Sequence, residues 1–193
     1  MSREFSGKHI LLLLLYSPGK KNDINEPVVG RTRMIKMMFL FEKEISEEFF
    51  ENTDVKLISF PEFYAWHYGP FSKDVYNDIE FFINNDFIKS ESLKSKMDRA
   101  ELEEYENWVE DYALEDDTTF STIRNEERFK LTEKGISFVK EKLLPRITNN
   151  QKEILAKFKE RINKADLKAI MRYTYLNYSE FTEESKIKDQ VLD

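Results

Sequence analysis

Cysteine is absent from the 193 residues, histidine occurs only twice, and glycine and proline occur five times each. Without cysteine the chain has no disulfide, no thiolate nucleophile, no iron–sulfur cluster and no Cys-rich zinc site. His9 and His67 are far apart in sequence, so a His-based metal centre would draw most of its ligands from carboxylates. No metal and no cofactor is expected. So few turn-formers argue against an all-β sandwich. Long apolar runs are also lacking. The run Ile10–Tyr16 is buried-helix material, far short of the roughly 20 apolar residues of a bilayer span. The stretch SPGKKND behind it offers no small-residue cleavage site for a signal peptide. The expected protein is cytoplasmic and has no membrane partner.

Charged residues make up 35% of the chain and hydrophobic ones 40%. That balance supplies too much core for a disordered chain, and the length fits one domain, or one domain with a small appendage. The formal charge of −7 is unevenly spread. Residues 92–127 hold twelve acidic and four basic residues, and the remainder holds 25 and 26. The body is therefore neutral, and one segment makes the chain acidic. Such a segment reads as a solvated helix or a loop excursion.

Apolar periodicity orders the elements. An all-apolar helix over about residues 8–16 ends at Ser17-Pro18-Gly19, where proline and glycine stop it. Gly30 and Thr32 start a second helix, in which Met34, Ile35, Met37, Met38, Phe39, Leu40 and Phe41 leave almost no polar face. A helix of that kind belongs at the centre of the core. The segment Val55–Phe60 is a short strand closed by Pro61. Gly69-Pro70 reads as a turn. Ser72 reads as the N-cap of a helix to Asn84, with Val75, Ile79, Phe82 and Ile83 facing inward. Phe87-Ile88 and Arg128–Leu131 are extended, and Thr132 caps a helix that runs to Pro145. Two more helices are expected beyond Arg146. The first spans Gln151–Ile162; the second is capped by Asn163 and carries Leu167, Ile170, Met171, Tyr173, Tyr175 and Leu176. They read as a hairpin that covers the core or contacts a second copy of the chain.

Helix, helix, helix, strand, strand, helix is the order of a winged-helix unit whose strands form the wing. The expected fold is mostly α with a small antiparallel β wing. A winged-helix-like helical domain spans residues 1–145, with an acidic wing insertion at 92–127, and a C-terminal helical pair spans 146–193. The insertion has room for a helix near 99–113, where Leu102, Tyr105, Trp108, Val109 and Tyr112 form a stripe that packs back on the domain or meets a partner.

Four segments carry a family resemblance: GRTRMIKMMFLFEKE, FYAWHYGPFSKDVYNDIEFFINNDFI, FKLTEKG and YTYLNYSEFTEESKIKD. The Thr-Arg-x-x-Lys helix, the Tyr-Gly-Pro-x-Ser turn and the Leu-Thr-x-x-Gly step together resemble the YwgA-like group of prokaryotic proteins. That group is itself similar to the Panacea domain of SocA-type antitoxins. The resemblance covers most of the chain outside the acidic insertion. It implies a helical, winged-helix-like fold and a regulatory or antitoxin-like role through binding, and it implies no catalytic residues.

The residues themselves give catalysis little support. There is no GxGxxG, and Pro18-Gly19-Lys20-Lys21 lacks the spacing and the following Ser or Thr of a phosphate loop. Asp54-x-Lys56 matches only the end of a metal-nuclease pattern, and Ser72 near His67 has no third orienting acid placed by spacing. Phe60, Phe63, Tyr64, Trp66, His67, Tyr68 and Phe71 crowd around Gly69-Pro70, either as an anchor over the core or as a recognition patch. For DNA, the helix before the wing would present Lys73 beside Asp74, Asp78 and Glu80, and the wing tip is acidic. The expected function is therefore a non-catalytic regulatory protein-binding module, antitoxin-like or adaptor-like, with a protein partner such as a toxin. The candidate partner-binding residues are Arg31, Arg33, Lys36, Tyr64, Trp66, His67, Tyr68, Gly69, Pro70 and Ser72. The alternative is a winged-helix DNA-binding transcriptional regulator that uses Arg31 and Arg33, whose other reading is ion pairing with Glu42, Glu44 or the insertion. A homodimer remains open in either case.

Overall fold

Six consecutive buried side chains, Ile10 to Leu15, make α1 (Gly7–Tyr16) an axis of the core rather than a surface helix. The computed structural model describes residues 4–93, 126–185 and 187–192, and the helix expected near 99–113 lies outside them. The chain is mostly helical, with a small antiparallel sheet. Among the described residues no helix is long and apolar enough to cross a membrane.

The second helix, α2 (Arg31–Leu40), runs on through a π-helical turn at Phe41–Ile45 into α3 (Ser46–Phe50). Every side chain from Met34 to Phe41 is buried, Lys36 included. Pairing across the chain adds strands that local sequence did not announce. The three residues of β1 (Glu4–Ser6) lie parallel to β3 (Lys56–Ser59). The two residues of β2 (Val28–Val29) join the antiparallel pair β6 (Ile88–Leu93) and β7 (Glu126–Leu131) in the order β2-β7-β6, so the expected two-stranded wing is a three-stranded sheet. Asn25 extends that edge: its side-chain oxygen accepts from Leu131 N at 2.8 Å and its amide donates to Leu131 O at 3.0 Å.

Gly69-Pro70 is not the turn itself. Tyr64–Trp66 (β4) and Gly69–Phe71 (β5) form an antiparallel hairpin that reverses at His67-Tyr68. Gly69 takes a φ of +79°, which glycine adopts without steric cost, and so brings the chain back into register. Pro70 sits in a strand with a single hydrogen-bonded neighbour, where its missing N–H is tolerated. Beyond it Ser72, fully buried, accepts from Val75 N at 3.3 Å and caps α4 (Lys73–Asn84). Val75, Ile79 and Phe82 of α4 point into the core.

Thr132 caps α5 (Glu133–Phe138) by accepting from Gly135 N at 3.1 Å. A β-carbon at Gly135 would overlap the Phe87 carbonyl, which already accepts from Thr132 N at 3.0 Å. Because the obstacle is backbone, Gly135→Ala is expected to lower stability by about 2–3 kcal/mol. A urea midpoint unchanged from wild type would contradict this.

A capping box of Thr148 and Gln151 opens α6 (Asn149–Lys164) two residues before the expected start. The cap of α7 (Leu167–Asn177) is Asp166, which accepts from Ala169 N at 2.6 Å, and not Asn163. Asn163 is still inside α6, where its amide donates to Glu26 at 2.9 Å. Ile154, Leu155, Phe158 and Ile162 of α6 complete the main core with α1, α2 and α4. A second apolar cluster joins Tyr68 to Met171 and Tyr175 of α7, and to Ile187 and Val191 at α8 (Lys188–Leu192).

Candidate functional site

The candidate residues fall into three places. Arg31 stands where α2, α4 and β7 meet. Its side chain is 9% exposed, and its Nε donates to Glu127 at 2.8 Å while the other arm of the guanidinium pairs with Glu80. The rings of Tyr76 and Phe129 lie 5.0 and 5.3 Å from its guanidinium carbon. Glu127 belongs to the acidic segment, so one of the expected pairings is formed, with Glu80 in place of Glu42 or Glu44.

Arg33 serves a helix end. It donates to Val29 O at 3.2 Å, and to Ile162 O and Ala165 O at 2.6 and 2.5 Å, where α6 runs out of intrahelical donors.

The third place is the β4–β5 hairpin, and Lys36 is its peg. Lys36 is 2% exposed, and its ammonium donates to Tyr68 O and Pro70 O, each at 2.7 Å. Its partners are backbone carbonyls of the hairpin and not carboxylates. Burial pushes its pKa down to about 7. Tyr175 lies so close to Gly69 that a β-carbon there would stand 2.7 Å from its ring and 3.5 Å from Lys36 Nζ. The Tyr175 phenol is held in turn by Ser185 at 2.8 Å, and burial pushes its pKa up to about 12. Tyr68, Gly69 and Pro70 are therefore the buried inner side of the hairpin.

Its outer side is aromatic. Tyr64 and Trp66 are two residues apart on β4, and Phe71 is opposite Tyr64, so the three share a face. Tyr64 is 40% exposed, Trp66 and His67 are half-buried, and the His67 ring stacks on Trp66 at 4.8 Å. Burial, then the charge of nearby Asp74, raises the Tyr64 pKa. The structure thus brings Lys36, Tyr64, Trp66, His67, Tyr68, Gly69 and Pro70 into one unit. It leaves Ser72 as a buried helix cap behind that unit, and Arg31 and Arg33 as internal ties elsewhere.

Sequence reasoning missed Lys159, which is fully buried and donates to Leu15 O and Ser17 O at 2.7 Å. Burial lowers its pKa to about 7, against the opposing charge of Glu26. Its place on the inner face of α6, four residues after Leu155 and three before Ile162, was the signal. Among the described residues no three His, Asp or Glu side chains gather closely enough to hold a metal ion. An open depression of about 230 Å³ between Pro18–Asn22 and α6 falls below the roughly 300 Å³ at which small-molecule sites begin. Compared with family models, with curated proteins and with solved structures, the chain finds no match.

Proposed function

We propose that the chain is a non-catalytic regulatory protein-binding module of winged-helix-like architecture, antitoxin-like or adaptor-like, and that its partner meets the outer face of the β4–β5 hairpin. The resemblance to the YwgA-like group is part of the same proposal. The observation that carries it is the pairing of an outward aromatic face with a rigid inner anchor. Tyr64 is exposed and Trp66 half-buried on strands whose backbone is pinned by the buried Lys36 and backed by Tyr175. Large, rigid aromatics bury much area for little lost entropy, which is why they recur as interface anchors. The order α4, β6, β7, α5 supports the winged-helix-like part of the proposal.

The DNA alternative needs basic side chains that reach phosphate. Arg31 and Arg33 are engaged with carboxylates and helix carbonyls, and the outward positions of α4 include Asp74, Asn77 and Phe81 beside Lys73. A photoreactive phenylalanine analogue in place of Tyr64, expressed in the native host, is expected to cross-link to one dominant protein. The same group in place of Lys157, on the exposed side of α6, should not. Absence of an adduct from position 64, together with salt-steep binding of random duplex DNA, would replace this reading with the alternative.

A further inference from the structure

Aromatic rings of this chain, in the core as well as at its edge, repeatedly carry one of its own cations. Lys8 lies over Phe81, Lys43 over Phe39 and Phe181, Lys134 over Phe87, Arg146 over Phe5 and Arg161 over Phe158, at 4.6–5.8 Å from the ring centres. Arg31 shows the full form of the arrangement, with one guanidinium against two rings and two carboxylates.

The hairpin has the same components without a lysine or arginine, one face of Trp66 being covered by the stacked His67 ring and Phe71 resting in part on the main core. Tyr64 stands perpendicular to Trp66 at 6.0 Å and steeply inclined to Phe71 at 5.7 Å, while Trp66 and Phe71 lie 6.4 Å apart. Among the described residues no lysine or arginine lies over any of these three rings. One exposed acid stands beside the group: an Asp74 carboxylate oxygen is 3.5 Å from Glu62 N, and the Asp74 charge adds to burial in raising the Tyr64 pKa. Negative ring faces beside a carboxylate are complementary to a cation, and a planar guanidinium satisfies both by stacking and by forked pairing, which an ammonium does less well.

We propose that Tyr64, Trp66 and Phe71, with Asp74, receive an arginine side chain of the protein partner. The site reproduces on the surface what Arg31 does inside. This inference rests on the hairpin being the partner surface and adds the chemistry of the anchor.

The test uses the full chain and a minimal probe. The chain has two tryptophans, so Trp108→Phe leaves Trp66 as the sole indole. Titration with N-acetyl-arginine amide is expected to shift Trp66 fluorescence and its indole N–H resonance saturably. N-acetyl-citrulline amide, the neutral isostere, is expected to do neither. Tyr64→Ala and Asp74→Asn change exposed side chains and are expected to weaken the response by about three- to fivefold each. An equal response to citrulline, no response to arginine, or variants that bind like wild type would each overturn the proposal. If arginine leaves Trp66 unmoved while position 64 still cross-links to a protein, the cation falls and the partner surface stands. If both fail, both fall.

Discussion

Between about pH 7 and pH 10 the protein is expected to become harder to unfold, where most proteins are past their optimum. The cause is the pair of buried lysines. Lys36 and Lys159 ionise near 7 in the folded chain, against 10.5 when exposed. Across that window the unfolded chain holds two protons that the folded chain has released, so raising the pH favours folding. Each lysine contributes at most about 1.4 kcal/mol per pH unit. The carbonyl pairs at 2.7 Å favour the charged ammonium and so oppose the downward shift that burial causes. Above about pH 10 the sign reverses. Tyr175 and Tyr178 are pushed up to about 12 by burial, with Glu44 adding to the effect on Tyr178, so the unfolded phenols release their protons first. Urea midpoints measured across this range should rise and then fall. Lys36→Met and Lys159→Met should each remove about half of the rise. A midpoint that is flat or falling from pH 7 upward would refute the assignment.

Arg31→Met is expected to cost about 3–5 kcal/mol, the penalty for stranding half of a buried ion pair. The loss falls on Glu127, whose side chain is 12% exposed and would keep, among the described residues, only the hydroxyl of Ser90, at 2.9 Å, as a side-chain donor. It also falls on the junction itself, because Arg31 ties α2 to α4 through Glu80 and to β7 through Glu127. Adding Glu127→Leu should recover much of the loss, since two apolar side chains replace a pair rather than break one. Arg31→Lys should recover less, because one ammonium cannot fork between two carboxylates. Thermal and urea unfolding of the three variants checks the order. A loss under about 1 kcal/mol in Arg31→Met would mean that water screens the pair as it does at a surface.

Signals that act within a few residues were legible in the sequence. Ser72 and Thr132 are the helix caps they were expected to be, and the apolar runs from Ile10 and Met34 form the buried helices. Signals that depend on distant partners were not. Glu4–Ser6 and Val28–Val29 are too short to show a strand period and become strands only against Lys56–Ser59 and Arg128-Phe129. Asn163 looked like a cap because its residue type suits one, but α6 continues through it to Lys164 and the cap of the next helix falls to Asp166. At the candidate site, the crowding of aromatics was visible, whereas which residues of the hairpin are buried is set by its packing on Lys36 and Tyr175. The role of Lys36 was readable in one respect: a lysine between Ile35 and Met37, in a helix without a polar face, has no route to water. Its carbonyl partners, 32 and 34 residues away, were not.

The ties at Lys159 also have a consequence in time. Leu15 waits for a donor 144 residues further along the chain, and Ile162 and Ala165 wait on Arg33 from the other direction. At about 5–20 residues per second, a ribosome that has finished α1 needs on the order of ten seconds to deliver its last helical partner. During that interval the most apolar helix of the molecule is an unshielded nascent segment, and chaperone occupancy during synthesis should concentrate on it.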